Sequence, residues 1–200
     1  MNTTDRSKTI LRTGIYLLEN LTSGMYNNPL DIYREYIQNA VDSIDVSKNG
    51  INKELEVKII VDPIARKIVI HDNAEGLKSF IAENILSSIG NSEKSGSTFR
   101  GFRGIGRLGG IAFCDKAIFK TKARNEPIES IQVWDCKGLR EKLTLNRNRT
   151  SSLNKVFSQI TQFSQNNICD LDSSYFEVIL ENVSSFRDYI LDIAKIRRYL

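Results

Sequence analysis

Glu35, Asn39 and Asp42 stand at i, i+4 and i+7, a spacing that stacks three oxygen-bearing side chains on one narrow arc of a helix. An amide oxygen between two carboxylates can complete the coordination of a hard cation such as Mg2+, which takes oxygen ligands and keeps waters and phosphates. A carboxylate one turn away can then orient or deprotonate a water attacking a phosphoryl group. The plain alternative is a solvated polar face. Asparagine argues against it, because it is a mediocre helix former that usually has a local reason to sit mid-helix. Further along, Ile68-Val-Ile-His-Asp72-Asn-Ala-Glu-Gly76 reads as a strand running into an acidic turn. Asp72 either caps that turn or, if buried, accepts a hydrogen bond from an exocyclic amino group such as adenine N6 and rejects a base without one. His71, the only histidine, falls on the other face of the strand and reads as structural.

A third candidate is backbone chemistry. Seven of the twelve glycines lie between residues 90 and 110. Such a cluster predicts either a mobile loop or a phosphate cradle, since glycine alone allows close backbone approach at positive φ. Gly104-Ile-Gly106-Arg-Leu-Gly109 formally fits GxGxxG, but a dinucleotide fold needs a strand just before it. Lys94-Ser-Gly-Ser-Thr-Phe-Arg100 is polar and glycine-bearing instead, and the Walker A pattern is absent. What remains is Gly101-Phe102-Arg103-Gly104-Ile105-Gly106 ahead of the apolar Leu108–Cys114 stretch, which predicts a helix. Glycine-bracketed amides at a helix N-terminus form an anion site, with triphosphate the obvious anion and Arg103 and Arg107 available to add charge.

The elements that must position these groups follow from periodicity and punctuation. Ile15, Leu17, Leu18 and Leu21 predict a first helix ending near Ser23-Gly24. Asn28-Pro29 starts a second helix that should run to about Ser47, with Tyr33, Ile37, Ala40, Val41 and Ile44 as its apolar stripe. Leu55–Val61 and Lys67–Ile70 read as strands around a turn at Asp62-Pro63, and Lys78–Ile89 as a helix stopped by Gly90. Strands are predicted at Ala117–Thr121, Ile128–Trp134 and Tyr175–Leu180. Leu153, Val156, Phe157, Ile160 and Phe163 predict one helical face, and Phe186–Leu200 a terminal helix. The irregular alternation favours a mixed α/β two-layer sandwich over a doubly wound parallel sheet.

Composition bounds the rest. Two hundred residues with 40% hydrophobic and 26% charged content describe an ordinary globular domain that needs no disulfide or metal to fold. No apolar run approaches the roughly 18 residues of a spanning helix, and the start MNTTDRSKT has no secretion-signal character. Cys114, Cys136 and Cys169 form neither a disulfide framework nor a CxxC motif. A net charge of +4 does not demand a nucleic-acid partner. These features predict a reduced, cytoplasmic domain. The sequence stops inside a charged helix, IAKIRRYL, which predicts further domains beyond Leu200.

Taken in order, Glu35-Tyr-Ile-Gln-Asn39-Ala-Val-Asp42, Asp72-Asn-Ala-Glu-Gly76 and Gly101-Phe-Arg-Gly104-Ile-Gly106 resemble the three motifs of the GHKL ATPases. That superfamily gathers gyrase-type topoisomerases, heat-shock protein 90, sensor histidine kinases and MutL on the Bergerat fold. The likeness is strongest to the heat-shock protein 90 group: Met25-Tyr-Asn-Asn-Pro-Leu-Asp-Ile-Tyr-Arg-Glu35 is similar to its entry into the catalytic helix, and Ile89-Gly-Asn-Ser-Glu-Lys94-Ser-Gly96 to its lid. The resemblance covers about residues 10–122 well and the rest loosely.

The resemblance implies one ATP-binding domain over residues 1–200 with a lid at about 78–103. In it Glu35 would activate water, Asn39 would coordinate Mg2+ and Asp42 would line the pocket. Asp72 would bind the adenine amino group, and Gly76 would allow close approach to the base. Lys94 would lie near the phosphates, and Gly101, Phe102, Arg103, Gly104, Ile105 and Gly106 would cradle them. Ser174 would replace a threonine that contacts adenine through water. Two departures stand out: Ala74 replaces the second motif's first glycine, and Arg107-Leu-Gly-Gly replaces an aromatic, small-residue pattern. They predict the ATPase module of a larger protein that is not an orthodox chaperone. The leading expectation is slow ATP hydrolysis with lid closure switching a partner domain or a nucleotide-dependent homodimer, without membrane. The alternatives are a DNA-directed ATPase of the MutL or topoisomerase kind and, less well matched, a sensor-kinase catalytic domain.

Overall fold

The computed structural model describes residues 28–47, 54–87, 106–145 and 153–200. Asn28 opens the first described helix, α1 (Asp31–Ser47): its side chain accepts the Leu30 amide at 3.1 Å and its carbonyl the Asp31 amide at 3.0 Å. These are the bonds that free helix-start amides require. Strands β1 (Val57–Asp62) and β2 (Lys67–Asp72) form a hairpin. Asp62 holds its turn by accepting the Ile64 and Ala65 amides at 2.9 and 2.8 Å. Helix α2 (Ser79–Ser87) follows, then a 3-10 helix over Gly106–Ala112. Strands β3 (Lys116–Lys122) and β4 (Ile128–Asp135) lead into α3 (Cys136–Leu145). Next come α4 (Leu153–Ile160), β5 (Thr161–Asn167) and β6 (Tyr175–Glu181), then a 3-10 helix over Ser185–Leu191 and α5 (Ile193–Tyr199).

The six strands make one antiparallel sheet in the order β1-β2-β6-β3-β4-β5. Period-2 alternation sends Ile68, Ile70, Ala117, Phe119, Trp134, Val178 and Leu180 to one face, where α1, α2 and α4 bury them with Tyr33, Leu86 and Val156. Trp134 meets Phe157 of α4 edge to face, ring centres 5.6 Å apart. The opposite face runs Ile60, Val69, Ile179, Ile118 and Val133 across five strands in register. The α/β two-layer sandwich expected from the sequence is the fold observed. Cys114 and Cys136 are free, buried thiols with Sγ atoms 3.9 Å apart, and burial pushes the Cys114 thiol up.

Four expectations need correction. Phe163 does not extend the helix of Leu153, Val156, Phe157 and Ile160, because the chain passes from helix to strand at Ile160–Thr161. There the Thr161 hydroxyl donates to the Phe157 carbonyl at 2.9 Å, and β5 is held by its ladder to β4 rather than by its own polar side chains. The predicted terminal helix is two pieces. Asp192 stands outside helical geometry (φ −80°, ψ 101°) and caps α5 by accepting the Lys195 amide at 3.1 Å. On α1 the buried side is Ile32, Tyr33, Tyr36, Ala40 and Ser47, while Val41 of the predicted stripe is exposed. The helix predicted over Leu108–Cys114 is the short 3-10 helix ending at Ala112. The predicted helix around Ile15–Leu21 and the Gly90 stop lie outside the described residues.

Candidate functional site

Strands β2 and β3 end where β6, lying between them, begins, and one inward-facing row there reads Asp72, Phe176, Thr121. Asp72 is 3% exposed, Thr121 is fully buried, and Ser174, just before β6, is 2% exposed. Phe176 between them is half-buried. A buried carboxylate and two buried hydroxyl-bearing residues thus stand around a half-buried aromatic ring at this end of the sheet.

The turn after Asp72 is pinned almost residue by residue. Asp72 accepts the Ala74 amide at 3.1 Å. Asn73 accepts the Glu56 amide at 2.8 Å and donates to the Glu54 carbonyl at 2.9 Å. The Glu75 amide donates to Ser47 Oγ at 3.2 Å, and the Leu77 amide to Thr121 Oγ1 at 2.8 Å. Ala74, where the resemblance would have a glycine, is fully buried within this turn. Gly76 sits at φ +66°, and the space a Cβ would take is filled by the carbonyls of Lys122 and Tyr175. The sheet itself therefore requires this glycine. Lys122, fully buried, donates to the Ser173 carbonyl at 2.6 Å and the Ala123 carbonyl at 3.4 Å, which holds the approach to Ser174.

Glu35, Asn39 and Asp42 are half-buried on α1, flanking its buried side rather than opposing it. Asp42 accepts the Gln38 amide at 2.8 Å. Helix α1 is tied at both ends of this polar stripe. Ser47 links it to Glu75 of the Asp72 turn, and the Tyr36 hydroxyl accepts the Gly110 amide at 3.0 Å, four residues beyond Gly106. Gly106 opens the 3-10 helix, whose far end Arg140 holds by donating to the carbonyls of Ile111 and Cys114 at 3.1 and 2.6 Å and pairing with Asp115 at 2.7 Å. Thus α1, the Asp72 turn and the segment from Gly106 onward are one connected unit. Lys94, Gly101, Phe102, Arg103, Gly104 and Ile105 lie outside the described residues.

The oxygens of Glu35, Asn39 and Asp42 match the ligand preference of Mg2+, and the buried Asp72 suits an amino group. Sequence reading missed Thr121, Lys122, Ser47 and Tyr36. Only Thr121, a polar residue at an inward position of a strand, left a trace in the pattern. Among the described residues, no helix is long and apolar enough to cross a membrane, and no cluster of three His, Cys, Asp or Glu side chains forms a metal site.

A family model described as histidine kinase-, DNA gyrase B-, and HSP90-like ATPase matches residues 31–167. Chaperone protein HtpG of Albidiferax ferrireducens is 26% identical over 127 residues, covering 53% of this chain and 19% of that protein. The chain thus spans about a fifth of the length of this relative.

Proposed function

Because the chain belongs to the histidine kinase-, DNA gyrase B-, and HSP90-like ATPase family, we propose that it binds ATP with Mg2+ at the site of α1 and the Asp72 turn and hydrolyses it slowly. The single observation that supports this reading most is the double tie of α1: Ser47 to Glu75 and Tyr36 to Gly110. Those two bonds hold the helix that carries Glu35, Asn39 and Asp42 to the Asp72 turn and to the 3-10 helix that starts at Gly106.

Each residue then has a task. Asp72 accepts a hydrogen bond from the adenine amino group, with Ser174 beside it and Gly76 closing the turn beneath the base. Asp42 lines the pocket. Asn39 holds Mg2+, which when bound neutralises charge on the phosphates. Glu35 takes a proton from water as its oxygen bonds to the γ-phosphorus and the bridging P–O bond to ADP breaks. Gly101, Phe102, Arg103, Gly104, Ile105 and Gly106 supply the phosphate cradle, and Lys94 adds charge there. Residues 78–103 act as a lid, so nucleotide state switches a downstream domain or a homodimer partner. The domain belongs to a longer cytoplasmic protein and spans residues 1–200.

Calorimetry with Mg-ATP and Mg-GTP tests the core of this. ATP is expected to bind and GTP to bind far more weakly, because guanine presents a carbonyl where adenine presents its amino group. Asp72→Asn should weaken ATP binding about 10- to 100-fold, the range for losing a charged hydrogen bond. Absence of heat with ATP for the unmodified chain would overturn the proposal.

A further inference from the structure

Strand β5 ends the sheet: it pairs with β4 on one side and, among the described residues, with no strand on the other. Which of its backbone groups face outward follows from one bond just beyond the ladder. The Ile168 amide donates to the Pro127 carbonyl at 2.7 Å, so the backbone of Ile168 faces β4. Backbone groups alternate sides along an antiparallel strand, and the β4–β5 register runs unbroken from Thr161 to Asn167. The backbones of Gln162, Ser164 and Asn166 therefore face β4, whereas the N–H and C=O groups of Phe163, Gln165 and Asn167 point away from the sheet. Among the described residues nothing bonds to those outward groups. Gln162, Ser164, Gln165, Asn166 and Asn167 are all exposed.

An open ladder recruits another strand, so sheets ordinarily guard their edges with charge, proline, a bulge or a covering element. The opposite edge follows that rule: β1 carries Lys58 and Asp62, and Pro63 ends it. In β5 these devices are missing, for neither charge nor proline occurs from Val156 to Cys169 in a chain that is 26% charged. From this geometry we infer that β5 is a docking edge for a second copy of this chain, the two β5 strands pairing antiparallel about a two-fold axis at Ser164. The inference does not depend on the nucleotide site. In this arrangement the outward groups of Phe163 and Gln165 in one copy meet those of Gln165 and Phe163 in the other. Ser164 faces Ser164, and Gln162 faces Asn166 on the open face of the sheet, amide against amide. A charge near that axis would be opposed by its own copy, and β5 carries none. Self-pairing also closes after two copies, whereas β5 set against β1 of a next copy would propagate without end.

Edge pairing buries a modest area, so a weak dimer is expected, with a dissociation constant of about 1–100 µM. Sedimentation equilibrium of the 200-residue chain under reducing conditions should show the mass rising with concentration from 22.7 kDa toward twice that value. Ser164→Lys sets two ammonium groups on the axis and should weaken association at least about 10-fold, with thermal unfolding of the exposed-site variant little changed. Ser164 lies at a non-hydrogen-bonded position of the new pair, where Cα atoms come within about 4.5 Å, inside disulfide reach. In a Cys169→Ser background, which leaves only the buried Cys114 and Cys136, Ser164→Cys should therefore form a covalent dimer with oxidised glutathione. Gln162→Cys, facing Asn166 of the other copy, should not. A chain that stays monomeric up to about 0.5 mM overturns the inference, as does a dimer that Ser164→Lys leaves intact or that Ser164→Cys does not link. Slow amide exchange at Phe163, Gln165 and Asn167 in a monomer would mean that the chain covers its own edge, and overturns it too. If Ser164→Lys does not fold, the cross-link decides.

Discussion

Thr121 and Leu77 are 44 residues apart and joined by one hydrogen bond, the Leu77 amide donating to the Thr121 hydroxyl oxygen at 2.8 Å. The same hydroxyl donates to the Tyr175 carbonyl at 3.1 Å. One fully buried side chain thus fastens the turn after Asp72 to β3 and to the start of β6, beside the row of Asp72, Phe176 and Thr121. Thr121→Val keeps the shape and removes both bonds, leaving a buried amide and a carbonyl unmatched. The expected cost is about 1–3 kcal/mol, read as a fall in Tm of roughly 3–10 °C. ATP affinity should fall with it, because the Asp72 turn loses its anchor; calorimetry on Thr121→Val checks that, and unchanged affinity would show that the turn holds without this bond.

Gly76→Ala tests the backbone in the same place. The residue adopts φ +66°, and a Cβ would meet the carbonyls of Lys122 and Tyr175. Left-handed geometry costs a non-glycine residue about 1–2 kcal/mol, and overpacking adds about 1–3 kcal/mol. A fall in Tm of roughly 5–15 °C is expected, measured by thermal unfolding without nucleotide. A loss of ATP binding with normal unfolding would instead assign this glycine to the ligand alone.

The parts of the fold written in local sequence were legible. Asn28-Pro29 and Asp62-Pro63 punctuate the chain where they were read to do so, because their side chains bond the next few amides. The parts fixed by distant contacts were not. Gln162 to Asn167 carry too little apolar pattern to declare a strand, and only pairing with β4 makes them one. Asp192 interrupts the terminal helix because its carboxylate caps the next one, and burial on α1 shifted toward Tyr36 and Ser47 because their partners, Gly110 and Glu75, lie far along the chain. The site divides the same way. Glu35, Asn39 and Asp72 are visible from residue type and spacing, whereas Thr121, Lys122 and Tyr36 support the proposed site through bonds that no spacing records.

Glu35 and Asn39 separate chemistry from grip. Glu35→Ala is expected to bind ATP within a few-fold of the unmodified chain while turnover falls about 100- to 10,000-fold, the usual share of a positioned base. Asn39→Ala should weaken binding in the presence of Mg2+ and make little difference in its absence. Steady-state turnover and calorimetry with and without Mg2+ check both. Turnover surviving Glu35→Ala would place the base elsewhere.

On the open face of the sheet, Glu177 meets His71 Nδ1 at 3.3 Å, and that hydrogen bond holds the Glu177 carboxyl below its ordinary range against the opposing effect of burial, with Lys120 and Lys67 adding to it. A carboxyl whose folded value is depressed stabilises the fold above the ordinary carboxylate range and loses that contribution as pH falls through the depressed value. The pair is partly shielded, so its worth is about 1 kcal/mol or less. Glu177→Gln is therefore expected to unfold lower than the unmodified chain near neutral pH, by at most about 2–4 °C. The gap should close as pH falls from the ordinary carboxylate range through the depressed Glu177 value, below which Glu177 itself is neutral. Thermal unfolding of both proteins across pH 3 to 7 reads this directly. A gap that stays constant through the acid range would mean that Glu177 acts through packing beside Tyr175, not through its charge.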